Sequence, residues 1–439
     1  MTTADLIVIG AGPGGYEIAA EEARAGRSVV LIERGEPGGT CLNRGCIPTK
    51  CLCASADMAR HVADADRFGV KVPEFTLDYG RAVARMREIV DGLRDDVRAA
   101  TSQCRCVNGE ARFRADGTVA VGDETFTAPR ILIATGSRPA ALNIPGSELA
   151  IDSDAFLTLE SLPASVVVIG AGVIGLEFAS IMNAFGVKVT VVEYCKEILP
   201  PFDKEVAKRL RSMLSRRGID FVLGASVTGI AADGERRIVS YTGKKGKQSV
   251  EADVVLMAVG RRPVTPEGLA EAGIATDPRG FIVTNDAMET TREGVYAVGD
   301  CNGRMMLAHA AAAQARVAVG QDVVLDVIPS AVFTSPEAAM CGLTTEQCVA
   351  GEIPYATSKA LFAANGKARA MGEADGLVKV VYEPETHRLL GCHIVGPHAA
   401  DLIQEAATAI ANGLTTNDIA TRIVHGHPTL SEVVAAAMR

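Results

Sequence analysis

The sequence predicts an α/β chain in which one βαβ unit is built twice, followed by a third domain of α+β character. Three observations predict it. The block Asp5 to Glu33 recurs as Ser165 to Glu193, a strand ending in a glycine turn recurs further on, and the pattern changes after about Val327. At 439 residues the chain has room for roughly three domains of ordinary size.

The first block reads DLIVIGAGPGGYEIAAEEARAGRSVVLIE and the second SVVVIGAGVIGLEFASIMNAFGVKVTVVE. They agree at Gly10/Gly170, Gly12/Gly172, Gly15/Gly175, Glu17/Glu177, Gly26/Gly186 and Glu33/Glu193. Each has a buried apolar strand, a glycine-rich turn, a helix, a glycine stop and a second apolar strand closed by an acid. A single G-x-G-x-x-G is weak evidence. Two in full βαβ context, with the acid at the same interval, predict two Rossmann-like dinucleotide sites. The first glycine makes the tight turn, the second admits a pyrophosphate against the backbone, and the third packs helix on strand. The helix N-terminus with its free N–H groups and dipole favours the phosphates. Glu33 and Glu193 are placed to accept hydrogen bonds from an adenosine ribose.

Between the repeats, Ala84 to Gln103 has helical period and many charges, and Gly109 to Phe126 alternates like strands. The buried strand Ile131-Leu132-Ile133-Ala134-Thr135-Gly136-Ser137-Arg138-Pro139 recurs as Val255-Leu256-Met257-Ala258-Val259-Gly260-Arg261-Arg262-Pro263. Each lobe is therefore expected to close with the same strand. A third variant, Gly294-Val295-Tyr296-Ala297-Val298-Gly299-Asp300, ends in an acid. The expected divisions are 1-145 and 264-327 for the first lobe, 146-263 for the second, and 328-439 for the third domain.

Directly after the first repeat comes Gly38-Gly39-Thr40-Cys41-Leu42-Asn43-Arg44-Gly45-Cys46-Ile47-Pro48-Thr49-Lys50. On a straight helix, residues i and i+5 have Cα atoms roughly 8.6 Å apart. A disulfide needs about 7 Å or less. If Cys41 and Cys46 are bonded, the backbone between them is broken, which Asn43 and Gly45 permit. Pro48 fits a helix first turn.

This block resembles, without a gap, the redox-active segment of the pyridine nucleotide–disulfide oxidoreductases, and nearly the whole chain resembles that family's dihydrolipoamide-oxidising members. The resemblance implies a redox-active Cys41–Cys46 disulfide, with Cys41 as interchange sulfur and Cys46 against a flavin. A flavin takes an electron pair from a dithiol and passes it on as hydride. FAD is thus expected at the first site and a nicotinamide at the second, with NAD favoured because Glu193 repels a 2′-phosphate. By resemblance the FAD site includes Gly10, Gly12, Gly14, Gly15, Glu33, Gly39, Thr40, Lys50, Ala111, Thr135, Gly136, Ser137, Asp300 and the turn Met306, Leu307, Ala308, His309. The NAD site includes Gly170, Gly172, Val173, Ile174, Gly175, Glu177, Glu193 and Gly260. Lys50 is expected to pair with Glu177 near the flavin. Asp300 could equally cap a helix or turn.

In the third domain, Val332 to Glu337, Phe362 to Ala368 and Gly391 to Ile410 carry the resemblance, which implies a homodimer interface. A free thiol is only about 3% thiolate at neutral pH, so a dithiol substrate needs a base, and histidine titrates in that range. His425-Gly426-His427-Pro428-Thr429-Leu430-Ser431-Glu432 supplies one: by family match His427 is the base and Glu432 orients it, with His425 structural. Thr429-x-x-Glu432 also reads as a capping box, which would occupy part of the carboxylate. The chain stops soon after Glu432, where the family's members run on for another turn or more, so contact with a lipoyl-bearing protein is expected to differ.

Net charge is −9 with both signs mixed, and no basic stripe suggests nucleic acid or membrane binding. No run approaches the ~18 apolar residues of a membrane span. A strand pattern begins almost at once, which leaves no room for a signal peptide, although a processed precursor reads the same. Eleven cysteines in such a chain fit a reducing compartment, and the cytoplasm is expected. No residue set has metal-ligand spacing. The expected activity is oxidation of dihydrolipoamide with NAD. Its alternatives are an NAD(P)H-dependent reductase of a glutathione- or coenzyme A-type disulfide, a diaphorase whose disulfide is idle, and a nucleotide-binding scaffold.

Overall fold

A computed structural model describes residues 1–439. The first repeat folds as strand Leu6–Ile9, helix Pro13–Arg24 and strand Val29–Glu33. Leu6–Ile9 pairs in parallel with Val29–Glu33 on one side and Arg130–Ile133 on the other. Val295–Ala297 then joins Arg130–Ile133, and Arg105–Asn108 completes five strands. The continuous apolar runs follow from burial on both faces: Ile7, Val8, Ile131, Leu132 and Ile133 are all buried.

The second repeat builds the same unit from strand Ser165–Ile169, helix Val173–Ala184 and strand Lys188–Glu193. Here Ser165–Ile169 is flanked in parallel by Lys188–Glu193 and Val254–Met257, and Asp220–Leu223 lies at the edge. The recurring strand therefore closes the second sheet, as its repetition implied, whereas in the first lobe the third variant, Val295–Ala297, pairs outside it and takes the edge. Past their glycines the two copies meet. Ser137–Pro139 pairs antiparallel with Arg261–Pro263 and ties the lobes together.

The charged stretch after the cysteines is one helix, Tyr79–Ala100. It begins earlier than its charge pattern suggested because Asp78 caps it, accepting from the Arg81 N–H. It is not solvated all round. Tyr79, Ala82, Val83 and Met86 enter the largest core, beside Leu52 and Ala56 of helix Cys46–Ala63 and Phe178 of helix Val173–Ala184. The alternating stretch gives short strands Arg112–Phe113, Val119–Val121 and Glu124–Thr127, which form a second sheet on Thr2–Thr3.

The third domain is a five-stranded antiparallel sheet in the order Ser330–Val332, Glu337–Gly342, Leu389–Gly396, Leu377–Tyr382, Ala356–Leu361. Helix Ala399–Ala411 packs on it through Ile403, Ala406, Ala407 and Ala409, and helix Ser431–Ala437 through Val433 and Val434. Small alanines let the first helix sit close to the sheet. Asp203, fully buried, caps helix Lys204–Arg216 and meets Lys379 Nζ of the third domain at 2.7 Å. No helix is long and apolar enough to cross a membrane.

Candidate active site

The two cysteines sit on either side of a break. Helix Gly39–Arg44 ends at Gly45, and helix Cys46–Ala63 starts at the next residue. A Cβ on Gly45 would lie 2.9 Å from the Thr40 carbonyl oxygen, so the break closes only over a bare Cα. Asn43 holds the short helix, its amide donating to the Pro37 and Gly39 carbonyls at 3.0 and 2.9 Å. The break brings i and i+5 together. Both residues are free thiols here, and each is the largest influence on the other's acidity.

The pair is electrostatically asymmetric. The Cys41 hydrogen bond, aided by the Lys50 ammonium, lowers the Cys46 thiol to about 7 against the cost of burial. Cys41 is pushed up, first by the same hydrogen bond and then by burial. The asymmetry favours the thiolate at Cys46 over Cys41.

Lys50 lies one turn beyond Cys46. Its Nζ donates to both carboxylate oxygens of Glu177, at 2.9 and 3.0 Å. The Glu177 side chain is 5% exposed and that of Lys50 32%, so the pair is largely shielded from screening. Sequence resemblance placed these two together; the structure joins them across 127 positions.

The glycine turns fall into two kinds. Gly10 has φ +103, and a Cβ there would strike the Ala134 carbonyl oxygen at 2.4 Å. Gly170 repeats this with φ +105 and Ala258 at 2.4 Å. At Gly15 and Gly175 a Cβ would lie 1.9 and 2.1 Å from the carbonyl oxygens of Gly10 and Gly170. These four are dictated by the protein's own packing. Gly172 is different. Its φ of −77 suits any residue, and no protein atom lies within 4 Å of its ideal Cβ. Gly12 is similar at φ −75, with Gly39 Cα as its nearest neighbour at 3.9 Å. The space that these two glycines keep clear lies at the N-termini of helices Pro13–Arg24 and Val173–Ala184. A pyrophosphate against backbone N–H groups fits both cradles.

The paired acids hold the turns. Glu33 Oε2 accepts from the Ala11 N–H at 2.7 Å and Oε1 from Gly35 at 2.8 Å. Glu193 does the same with Ala171 at 2.5 Å and Cys195 at 2.7 Å. Each oxygen keeps a lone pair for a ribose hydroxyl. Val173 and Ile174, half-buried, form the second helix's first turn.

The other predicted FAD residues lie in the first lobe and its neighbouring segments. Ser137 Oγ donates to Asp300 Oδ2 at 2.5 Å, so Asp300 is held by a neighbouring loop rather than acting as a cap. Thr135 Oγ1 donates to the Val264 carbonyl at 2.5 Å. Gly136 and Gly260 have φ +70 and +104 with open space at their Cβ positions. Ala311, in the helix that begins at Ala308, lies 3.0 Å from a Cβ on Gly14 and 2.8 Å from one on Gly299. The first turn of that helix, after Met306 and Leu307, thus abuts the start of helix Pro13–Arg24. His309 turns away, Nε2 meeting the Pro329 carbonyl at 2.8 Å, and Ala111 is buried in the lobe's core.

The sequence reading missed Arg261. Its Nε donates to Ser137 Oγ at 2.6 Å, and it lies 3.8 Å from Asp300. Ser137 and Arg261 occupy equivalent positions of the recurring strand, but the duplication does not show that the two copies meet there.

His427 lies in the third domain, its side chain 80% exposed, with Nδ1 3.0 Å from Glu432 Oε1. Glu432 Oε2 accepts from the Thr429 N–H at 2.9 Å. One carboxylate thus serves both the imidazole and the Thr429 N–H, but helix Ser431–Ala437 starts after Leu430 with no side-chain cap, so the expected capping box does not form. The His427 bond, then the Thr429 bond, holds its carboxyl below the usual range. None of the His427 loop's hydrogen bonds reaches the cysteines of the same chain. His425 is turned inward onto Glu405 at 2.5 Å.

Residues 4–315 match the family described as pyridine nucleotide-disulphide oxidoreductase, and residues 328–438 match its dimerisation domain. A dihydrolipoyl dehydrogenase of Thermus scotoductus is 40% identical over 98% of this chain and 96% of that protein. Those of Chlamydia muridarum and Bacillus subtilis are 38% and 35% identical, covering 98% and 99% of the chain and 95% and 97% of the relatives. Among solved structures, the HOCl-induced flavoprotein disulfide reductase RclA from Escherichia coli superposes with a TM-score of 0.87 at 28% identity, over 99% of each chain.

Proposed function

The chain belongs to the pyridine nucleotide-disulphide oxidoreductases, and from that premise we propose that it oxidises dihydrolipoamide to lipoamide, using FAD and NAD. The observation that carries the reading is the helix break at Gly45, which seats two thiols against each other directly after the first glycine cradle. The full-length likeness to dihydrolipoyl dehydrogenases supports the choice of dithiol.

We assign FAD to the first cradle, through Gly10, Gly12, Gly14, Gly15, Glu33, Gly39, Thr40, Ser137 and Asp300, and NAD to the second, through Gly170, Gly172, Gly175 and Glu193. When bound, the flavin accepts the electron pair of the reduced cysteines and yields it to NAD as hydride.

The chain's own residues set the thiol chemistry. With Nδ1–H given to Glu432, His427 Nε2 is free to take a proton. His427 of the partner subunit deprotonates the first substrate thiol. That sulfur bonds to Cys41 Sγ, the Cys41–Cys46 bond breaks, and Cys46 leaves as the thiolate. Cys46 is the better leaving group because its thiol is the more acidic. The second substrate thiol passes its proton by way of His427 to Cys41 as its sulfur displaces Cys41 from the mixed disulfide. The products are a substrate disulfide, a Cys41 thiol, a Cys46 thiolate and one proton held on the imidazole. Lys50, fixed by Glu177, offsets the negative charge on Cys46.

The exposure of His427 favours a homodimer in which each imidazole serves the other copy, and eleven thiols fit the cytoplasm. The test is steady-state oxidation of dihydrolipoamide with NAD, set beside reduction of glutathione- and coenzyme A-type disulfides by NADH and NADPH. Dihydrolipoamide with NAD should be preferred; faster turnover of another disulfide would overturn the substrate assignment.

A further inference from the structure

The third domain reaches into the redox centre at one point. Phe333, half-buried, follows its first strand, Ser330–Val332. The Phe333 ring lies under the Lys50 ammonium, 4.3 Å from Nζ to the centroid. Its N–H donates to Glu177 Oε1 at 3.0 Å, the oxygen that also receives Lys50. Its carbonyl accepts from the Cys53 thiol, one turn beyond Lys50, at 3.3 Å. Two residues on, the Ser335 N–H donates to Ser180 Oγ at 3.1 Å, which also accepts from Arg60 at 3.0 Å. The segment 333–335 therefore splints two helices: Cys46–Ala63, which carries Cys46, Lys50, Cys53 and Arg60, and Val173–Ala184, which carries Glu177 and Ser180.

We propose that Phe333 is a positioning residue for the redox centre, its ring fixing the Lys50 ammonium and its backbone fixing the Glu177 carboxylate beside Cys46. The inference rests on the redox reading of Cys41 and Cys46. Lys50 has a flexible four-carbon stem, and Glu177 alone restrains it from one side. The ring face beside the ammonium supplies a second restraint, through attraction between the cation and the π quadrupole. Cys46 senses both charges, with Lys50 favouring its thiolate and Glu177 opposing it. A lysine held in place keeps that balance on the side of the thiolate.

The test labels thiols of the reduced holoenzyme with short pulses of iodoacetamide, from about pH 5 to about pH 9. Trypsin cleaves after Arg44 and Lys50, so Cys41 and Cys46 fall on separate peptides. Wild type should show a Cys46 midpoint about 7. Phe333→Leu keeps the backbone contacts but removes the ring. It should raise the midpoint by about half a unit to one unit, cutting labelling at neutral pH about two- to five-fold. Phe333→Tyr keeps the ring face and should restore the wild-type midpoint. Phe333→Met, another ringless side chain that fills space, serves if the leucine variant does not fold. A lower melting temperature with an unmoved midpoint in the ringless variants would reduce Phe333 to packing and overturn the proposal. A wild-type Cys46 that titrates like an ordinary thiol would instead sink the redox-centre reading, and this inference with it.

Discussion

Gly172→Ala separates what a glycine does for the fold from what it does for a ligand. At φ −77 and ψ −175 alanine is unstrained, and its Cβ meets no protein atom within 4 Å. Loss of glycine at a helix N-cap costs up to about 1 kcal/mol. Reduced freedom in the unfolded chain returns about 0.4–1 kcal/mol. The two nearly offset, so the melting temperature should move by no more than about 2–4 °C. The methyl nevertheless fills the space that a pyrophosphate needs against the backbone. Loss of one charge-assisted hydrogen bond, at about 1.5–3 kcal/mol, is roughly a 10- to 100-fold rise in the KM for NAD. Gly175→Ala is the contrasting variant. Its Cβ would lie 2.1 Å from the Gly170 carbonyl oxygen and 3.2 Å from Val168 Cγ1. Backbone cannot yield as a flexible side chain can, and about 1–3 kcal/mol or more of stability should be lost. The assay pairs melting curves with the KM for NAD at saturating dihydrolipoamide. A KM for Gly172→Ala within two-fold of wild type, or destabilisation equal to that of Gly175→Ala, would refute the reasoning.

Two further outcomes follow from particular contacts. His427→Gln removes the exposed base while leaving the buried His425–Glu405 pair intact. Dihydrolipoamide oxidation should fall about 10²- to 10⁴-fold, whereas NADH-driven reduction of ferricyanide, which needs no thiol deprotonation, should persist; equal loss of both activities would contradict the assigned role. Asp203→Asn leaves Lys379 largely buried with only the Glu205 carboxylate nearby, at 3.5 Å. Breaking a buried pair costs about 3–5 kcal/mol, less what Glu205 recovers, and denaturant unfolding should register the loss. Unchanged unfolding would show that the contact between the second lobe and the third domain holds without this ion pair.

The sequence exposed whatever the backbone itself demands. Gly15 and Gly175 are forced by a carbonyl oxygen of their own turn, Gly10 and Gly170 by one at the end of the recurring strand beside them, and a forced glycine repeats wherever that unit does. The continuous apolar strands were legible because both faces of their sheets are covered. Helix Tyr79–Ala100 was found, but its start was misplaced because the Asp78 cap sits outside the charged run. Partnerships between distant side chains were harder. Lys50 and Glu177 were paired only through family likeness, since nothing local links positions 127 apart. Arg261 on Ser137 was hidden for the opposite reason: the duplication that marks both loops does not reveal that they touch. Phe333 meets Glu177 and Cys53 through its backbone N–H and carbonyl, groups common to nearly every residue type, so those contacts leave no sequence signature. At Glu432 only the imidazole reading holds: the second oxygen meets the Thr429 N–H, but the helix starts two residues later without a side-chain cap.

The thiol relay at Cys41 and Cys46 is tested most directly by Cys46→Ser, measured for dihydrolipoamide oxidation with NAD and for FAD content on the same preparation. Serine cannot form the disulfide that the substrate sulfur must attack. Turnover should fall below about a thousandth of wild type while FAD stays bound, because the first cradle is untouched. Turnover within about tenfold of wild type on a fully loaded protein would contradict the relay.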